Sequence, residues 1–307
     1  MKRPTTGCLV FLWATLLCAS PALAQKHKDV ENIGKRDINK GSWNIYSQER
    51  EFQLGQELAA EVEASSHLLR DARVQGYVED LVQNLVRHSD ARAPFTVRVI
   101  DSDELNAFAL PGGFLYVNTG LITEADTEAE LAGILAHEIA HVTARHATKQ
   151  ASKAQLFQLF SLPLIFVGGP VGYGIQQAMG LAVPLSFLKF SRNAEREADF
   201  LGLQYSYEAG YDPVGLVDFL ERLRESNQQS RVAAAFSSHP MTKDRIQRAQ
   251  KEIGQVLPPR PEHVVSTSRF AEVKAYLLRI QQSNWVYRGE GDGPRMRRRT
   301  EIEDETE

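Results

Sequence analysis

Leu135-Ala136-His137-Glu138-Ile139-Ala140-His141-Val142 is the stretch on which the reading of this chain turns. At 3.6 residues per turn, His137 and His141 are neighbours on one helical face, so two imidazoles can address one metal ion from a rigid backbone. Glu138 stands beside that face, within reach of a water on the same ion. Zinc suits such donors best, because it takes histidine nitrogens and carboxylate oxygens in a tetrahedral site and lowers the pKa of a bound water to about 7. A carboxylate beside that water is placed as general base for attack on an amide carbonyl. A match to H-E-x-x-H arises by chance in roughly one chain in a hundred of this size, so the neighbouring sequence must carry part of the weight.

Thr127 and Glu130 are spaced as a capping box that opens the helix, and Leu131, Ile134, Leu135 and Ile139 continue it to about Lys149. On a helix of that length His146 falls half a turn around from His137 and is expected away from the metal. Arg145, four residues after His141, is a candidate partner for a carboxylate near the site. Two histidines leave a catalytic zinc one protein ligand short. Ser191-Arg192-Asn193-Ala194-Glu195-Arg196-Glu197-Ala198-Asp199 supplies carboxylates at 195 and 199, on one face of a helix. One can bind the metal while the other receives the free ring N–H of a ligating histidine. Glu197 points elsewhere and reads as a solvated charge.

Working outward, apolar spacing from Ser47 to Ser89 predicts two helices broken near Ser65-Ser66. Phe95 to Ile100 reads as a strand with Phe95, Val97 and Val99 on one face. Pro111-Gly112-Gly113 reads as a turn, and Phe114 to Val117 as a second strand. Further helices are expected over Ser191–Ala209, Pro213–Glu225, Thr242–Ile253 and Arg269–Gln282. Between them, Ala154 to Leu188 runs for 35 residues without a charged side chain, divided by glycine and proline into pieces too short for a bilayer span. It fits either buried core helices or a flap or membrane-facing surface over a cleft, which leaves peripheral membrane contact through 154–188 open. The fold class is α+β, mainly helical, with a small sheet beside the H-E-x-x-H helix.

A chain of 307 residues with net charge −4 is neither a stapled mini-protein nor a highly charged disordered chain, and gives no electrostatic case for a nucleic-acid partner. Residues 1–24 read as a secretory signal peptide: Lys2 and Arg3, an apolar run from Cys8 to Cys18, and Ala22-Leu23-Ala24 before a cut at Gln25. Leu17 before Cys18 fits a lipoprotein poorly, and the run is short for a retained anchor. Both cysteines lie in this leader, so the mature chain is read as exported, periplasmic or secreted, and free of disulfides. Residues 25–46 read as a polar, loosely ordered lead-in, 47–285 as the catalytic domain and 286–307 as a charged disordered tail.

Four segments together resemble the M48 zinc metallopeptidases, in particular their exported soluble branch: Asn106-Ala107-Phe108-Ala109-Leu110-Pro111-Gly112-Gly113 with Thr119-Gly120-Leu121, the helix Leu135 to Val142, Glu195 to Asp199, and Ser238-His239-Pro240-Met241-Thr242 with Arg245. The resemblance implies a zincin-like domain of gluzincin type, with one zinc per chain held by His137, His141 and Glu195 and with Glu138 as base. It implies that Asp199 either orients a zinc histidine, the role its i+4 position favours, or donates a proton. It implies that an extended substrate lies along the strand Phe114-Leu115-Tyr116-Val117. His239 would approach the zinc as a fourth ligand that keeps the enzyme latent, or as a donor to the tetrahedral oxyanion. Tetratricopeptide repeats, which some periplasmic members carry, and the membrane helices of the integral branches have no counterpart in the sequence. The expected function is a zinc endopeptidase acting on extended, misfolded or misassembled envelope polypeptides. The alternative is a latent or chaperone-like zinc-binding protein with little proteolysis.

Overall fold

The structure is a computed structural model that describes residues 29–165, 189–225, 239 and 243–288. The readings of residues 1–24 as leader, 166–188 as flap or core and 289–307 as tail lie outside the described residues.

Side-chain caps open the first two helices. Ser47 Oγ accepts the Arg50 amide ahead of α1 (Gln48–Ser65), and the Asp71 carboxylate accepts the Arg73 and Val74 amides ahead of α2 (Ala72–Arg87). Each satisfies amides that a helix start leaves free. The helical spacing in α2 then buries Val74, Tyr77, Val78, Leu81, Val82 and Leu85 on one side.

Among the described residues the sheet has three strands, β1 (Thr96–Ile100), β2 (Ala107–Leu110) and β3 (Phe114–Asn118), in the order β1-β3-β2. β1 runs parallel to β3, and β2 pairs antiparallel with it through the turn Pro111–Gly113. Side chains alternate between two cores, as the pleat requires. Val97, Val99, Ala107, Ala109, Leu115 and Val117 join the main core, while Ile100, Phe108, Leu110 and Tyr116 pack with Leu58 and Ala59 of α1.

Two expectations change here. β2 was not foreseen as a strand, because Ala-Phe-Ala-Leu is short, apolar at every position and carries no alternation. The assignment of Phe114-Leu115-Tyr116-Val117 as the substrate-binding strand is also corrected: β3 is the central strand, with both edges hydrogen-bonded to neighbours. A strand with no free edge cannot add a peptide by main-chain pairing. Among the described residues, the unpaired edge beside the H-E-x-x-H helix belongs to β2.

After the short α3 (Thr119–Glu124), Thr127 accepts the Glu130 amide and starts α4 (Glu128–Thr143). Every residue of α4 from Glu128 to His141 is buried, against α2, β2, α6 (Arg192–Glu208) and α7 (Val214–Glu225). A helix enclosed on all sides is a core helix, and polar groups in its middle must find partners inside the protein. It is shorter than the sequence suggested. α4 ends at Thr143, Arg145 takes φ 56°, and a separate helix α5 (His146–Ile165) follows. α8 (Lys243–Val256) packs on α6 and α7, and α9 (Ser268–Arg288) closes over α2 and α3 through Phe270, Val273 and Leu277. α9 thus runs to Arg288, past the start at 286 expected for the tail.

The lead-in is more ordered than its polar composition implied. Asn39 Nδ2 donates to Thr143 O at 2.8 Å, Asn44 Nδ2 to Thr148 Oγ1 at 2.9 Å, and the Ile45 amide to Ser152 Oγ at 3.1 Å. Arg36 is ion-paired with the buried Asp90 at 2.8 Å. Residues 29–46 form a strap across the α4–α5 junction, held by side-chain hydrogen bonds that hydrophobic patterning does not register. None of the helices in the described residues is long and apolar enough to cross a membrane.

Candidate metal centre

The middle of α4 places His137, Glu138 and His141 at the centre of the core, and α6 and residue 239 bring the complementary groups. Glu195, Asp199 and Gly202 lie along one face of α6. A Cβ on Gly202 would stand 3.0 Å from the Cα and N of His137, so the missing side chain lets the two helices touch. At that approach His137 Nδ1 lies 3.0 Å from Asp199 Oδ1, and His137 Nε2 and His141 Nε2 face each other at 3.1 Å. The Glu195 carboxylate is 3.6 Å from each of those Nε2 atoms. His239 joins from the far side, its Nδ1 2.8 Å from Glu195 Oε1 and 3.4 Å from His137 Nε2.

The residues present fit a zinc ion. Ligand atoms of His137, His141, Glu195 and His239, all buried, lie within 4.8 Å of one another. Bonds of about 2.0–2.1 Å in a tetrahedron put donors roughly 3.3 Å apart, and the 3.1, 3.6 and 3.6 Å separations bracket that value. The charges agree as well. Glu138, Glu195 and Asp199 are buried carboxylates facing one buried guanidinium, Arg245. Among the described residues, with the carboxylates ionised and the histidines neutral as metal ligands must be, that leaves two negative charges, which a dication would cancel.

Each group is tuned by its surroundings. Burial opposes charge on Glu195 and Asp199, yet both are held below the usual carboxylate range: Glu195 by His137 and His239, Asp199 by Arg245 and His137. Arg245 grips Asp199 through two bonds of 2.7 and 2.8 Å and stands 3.1 Å from Glu195. Burial, then the neighbouring His137 and His239 charges, push His141 well below its ordinary value, leaving a neutral ring with a lone pair to offer. Burial works against charge on His137 too, but Asp199 and Glu195 outweigh it and raise that ring to about 9. Burial raises Glu138 against the pull of His239, His137 and the Ala109 amide of β2. The edge strand and the helix of the candidate base are therefore in contact.

All the sequence-derived candidates except the β3 strand meet here, with His239 inside the cluster. Two contributors were missed. Arg245 was noted only as part of a motif, although two carboxylates buried four residues apart call for a counter-charge. His146 lies against His141, at 2.9 Å between Nδ1 atoms, because the break at Arg145 turns it back. Glu197 faces His146 at 3.3 Å with a side chain 44 % exposed, so it is only partly the solvated charge expected.

The family profile described as Peptidase family M48 matches residues 68–253. The chain belongs to peptidase family M48. Among similar proteins, the Beta-barrel assembly-enhancing protease of Escherichia coli (strain K12) is 30 % identical over 291 residues, covering 89 % of this chain and 57 % of the relative. The Putative beta-barrel assembly-enhancing protease of Vibrio cholerae is 29 % identical over 267 residues, 84 % of this chain and 54 % of the relative. The Mitochondrial metalloendopeptidase OMA1 of Arabidopsis thaliana is 34 % identical over 149 residues, 48 % and 30 % respectively. The chain thus spans a little over half the length of these bacterial relatives. The matched M48 region contains the whole histidine–carboxylate cluster.

Proposed function

We propose that this chain is a zinc-dependent metalloendopeptidase of the cell envelope, exported by residues 1–24, that hydrolyses extended or misfolded envelope polypeptides. The observation that carries the reading is the convergence of Glu195 with His137 and His141, which lie on a helix packed against β2, whose outer edge is unpaired among the described residues. Zinc held by His137, His141 and Glu195 would supply Lewis acidity toward water and a peptide carbonyl. Glu138 takes the proton of the attacking water at its carboxylate and returns it to the departing amide nitrogen. Asp199 fixes the His137 ring through Nδ1, and Arg245 fixes Asp199. An extended peptide would pair with the free edge of β2, beside Glu138.

The test is Glu138→Gln with zinc content verified: cleavage of an unfolded casein-like protein should fall at least about 100-fold, the usual scale of general-base catalysis. Undiminished cleavage would sink the assignment. A second reading keeps the same metal site but latent or chaperone-like, and one observation favours it: His239 packs against both Glu195 and Glu138, the latter at 3.6 Å. Under that reading His239→Ala raises activity; if His239 instead supports the oxyanion, the same change lowers it.

A further inference from the structure

The cluster has a second layer built from residues to which no role has been given. His141 presents Nε2 to the site, and its other nitrogen, Nδ1, lies 2.9 Å from His146 Nδ1. His146 Nε2 in turn lies 3.3 Å from Glu197 Oε2. The proton positions follow from counting. A histidine that offers its Nε2 lone pair carries its proton on Nδ1, so His141 is the donor in the pair. His146 Nδ1 is then the acceptor, its own proton sits on Nε2, and that proton points at the Glu197 carboxylate. Each nitrogen along the row has one assignment.

Three features built into the fold maintain the arrangement. An unbroken helix would carry His146 around to another face; the left-handed turn at Arg145 returns it to His141. Arg145 is itself pinned, donating to Glu51 at 2.5 Å and to Tyr46 O at 2.7 Å. Phe190 stacks on the His141 ring with centroids 4.0 Å apart and planes at 21°, which limits rocking of the ring but does not choose its tautomer. That choice falls to a hydrogen-bonding partner, and His146 is 5 % exposed and in place.

We infer that His146, backed by Glu197, is a positioning residue that fixes the tautomer and orientation of His141 for zinc, as Asp199 does for His137. Each histidine ligand would then have its own carboxylate-terminated support, one direct and one relayed through a second imidazole. Partners of this kind typically change metal affinity about 10- to 100-fold when removed. The inference rests on the reading of the cluster as a zinc site.

The experiment measures zinc dissociation constants by competition with a chromophoric chelator, alongside thermal melts of the full chain with and without zinc. His146→Leu, which deletes the acceptor, should weaken zinc binding at least about 10-fold while the zinc-free melt stays near wild type. His146→Asn, whose amide oxygen replaces Nδ1 as acceptor, should restore most of the affinity and carries the comparison if the leucine variant does not fold. Glu197→Ala should fall between wild type and His146→Leu. Equal affinity in wild type and His146→Leu overturns the inference and leaves the zinc site standing. So does a loss seen only as a lower zinc-free melt. A wild-type protein that binds no zinc refutes the site itself.

Discussion

Gly202 and His137 are in backbone contact: a Cβ placed on Gly202 would stand 3.0 Å from both the Cα and the N of His137. Because the obstacle is main chain on a buried helix, it cannot swing aside, and α6 would have to retreat with Glu195 and Asp199. Gly202→Ala is therefore expected to destabilise the protein by about 1–3 kcal/mol, the scale of overpacking, and to lower zinc affinity. Gly76 provides the control, since it lies inside α2 with nothing within 4 Å of its would-be Cβ. Gly76→Ala should stabilise by ~0.5–1 kcal/mol from helix propensity alone. Urea unfolding of both variants checks the opposite signs.

Arg245 is the counter-charge to two buried carboxylates. Arg245→Met should cost about 3–5 kcal/mol, because it removes the guanidinium that faces both Asp199 and Glu195 and leaves those buried carboxylates to their histidine contacts alone. Added zinc should recover part of that loss by supplying positive charge in place of the guanidinium. Denaturant unfolding at several zinc concentrations reads both effects, and a zinc-independent loss would argue against shared neutralisation.

Zinc removal should lower stability without changing secondary structure. A ligand bound only to the folded state adds about 2.7 kcal/mol when present at 100 times its dissociation constant. The melting temperature should therefore rise with zinc concentration in wild type and respond weakly in His141→Ala. A melt indifferent to chelator would contradict the charge count at the site.

Glu51 supports the α4–α5 junction through Arg145, yet burial pushes its carboxyl above the ordinary 4.5 against the pull of that arginine. A raised folded value means that the folded protein binds the proton more tightly than the unfolded chain. The contribution of Glu51 is then complete below about 4.5 and is lost as pH rises through the folded value. Glu51→Gln, which cannot ionise, should match wild type in acid and gain on it as pH rises to neutrality. Unfolding curves for the pair between about pH 4 and pH 7.5 test the sign.

The centre of the site was legible because its signals are local. The i, i+4 spacing of His137 and His141, and of Glu195 and Asp199, follows from helical geometry alone, and Thr127 marks where the buried helix begins. What escaped depends on distant chain. β2 has no alternation to betray it, and its place at the edge is decided by β1 pairing with β3 instead. The turn at Arg145 carries no glycine, proline or asparagine; contacts with Glu51 and Tyr46 select it, 94 and 99 residues earlier in the chain. The strap was misjudged for the same reason, since Asn39 finds its partner 104 residues away.

α4 is enclosed from its first turn to His141, so the helix that carries the candidate metal centre is also the beam on which the rest of the molecule hangs. The motif is therefore not portable. Grafted alone onto another helix, His137-Glu138-Ile139-Ala140-His141 would arrive without the strand packed beside it, the glycine that admits α6 and the arginine that balances the acids. A designer wishing to transplant this centre would have to move four separate stretches of chain together. On the proposed mechanism, a single exchange at Glu138 would discard the activity and leave the architecture standing.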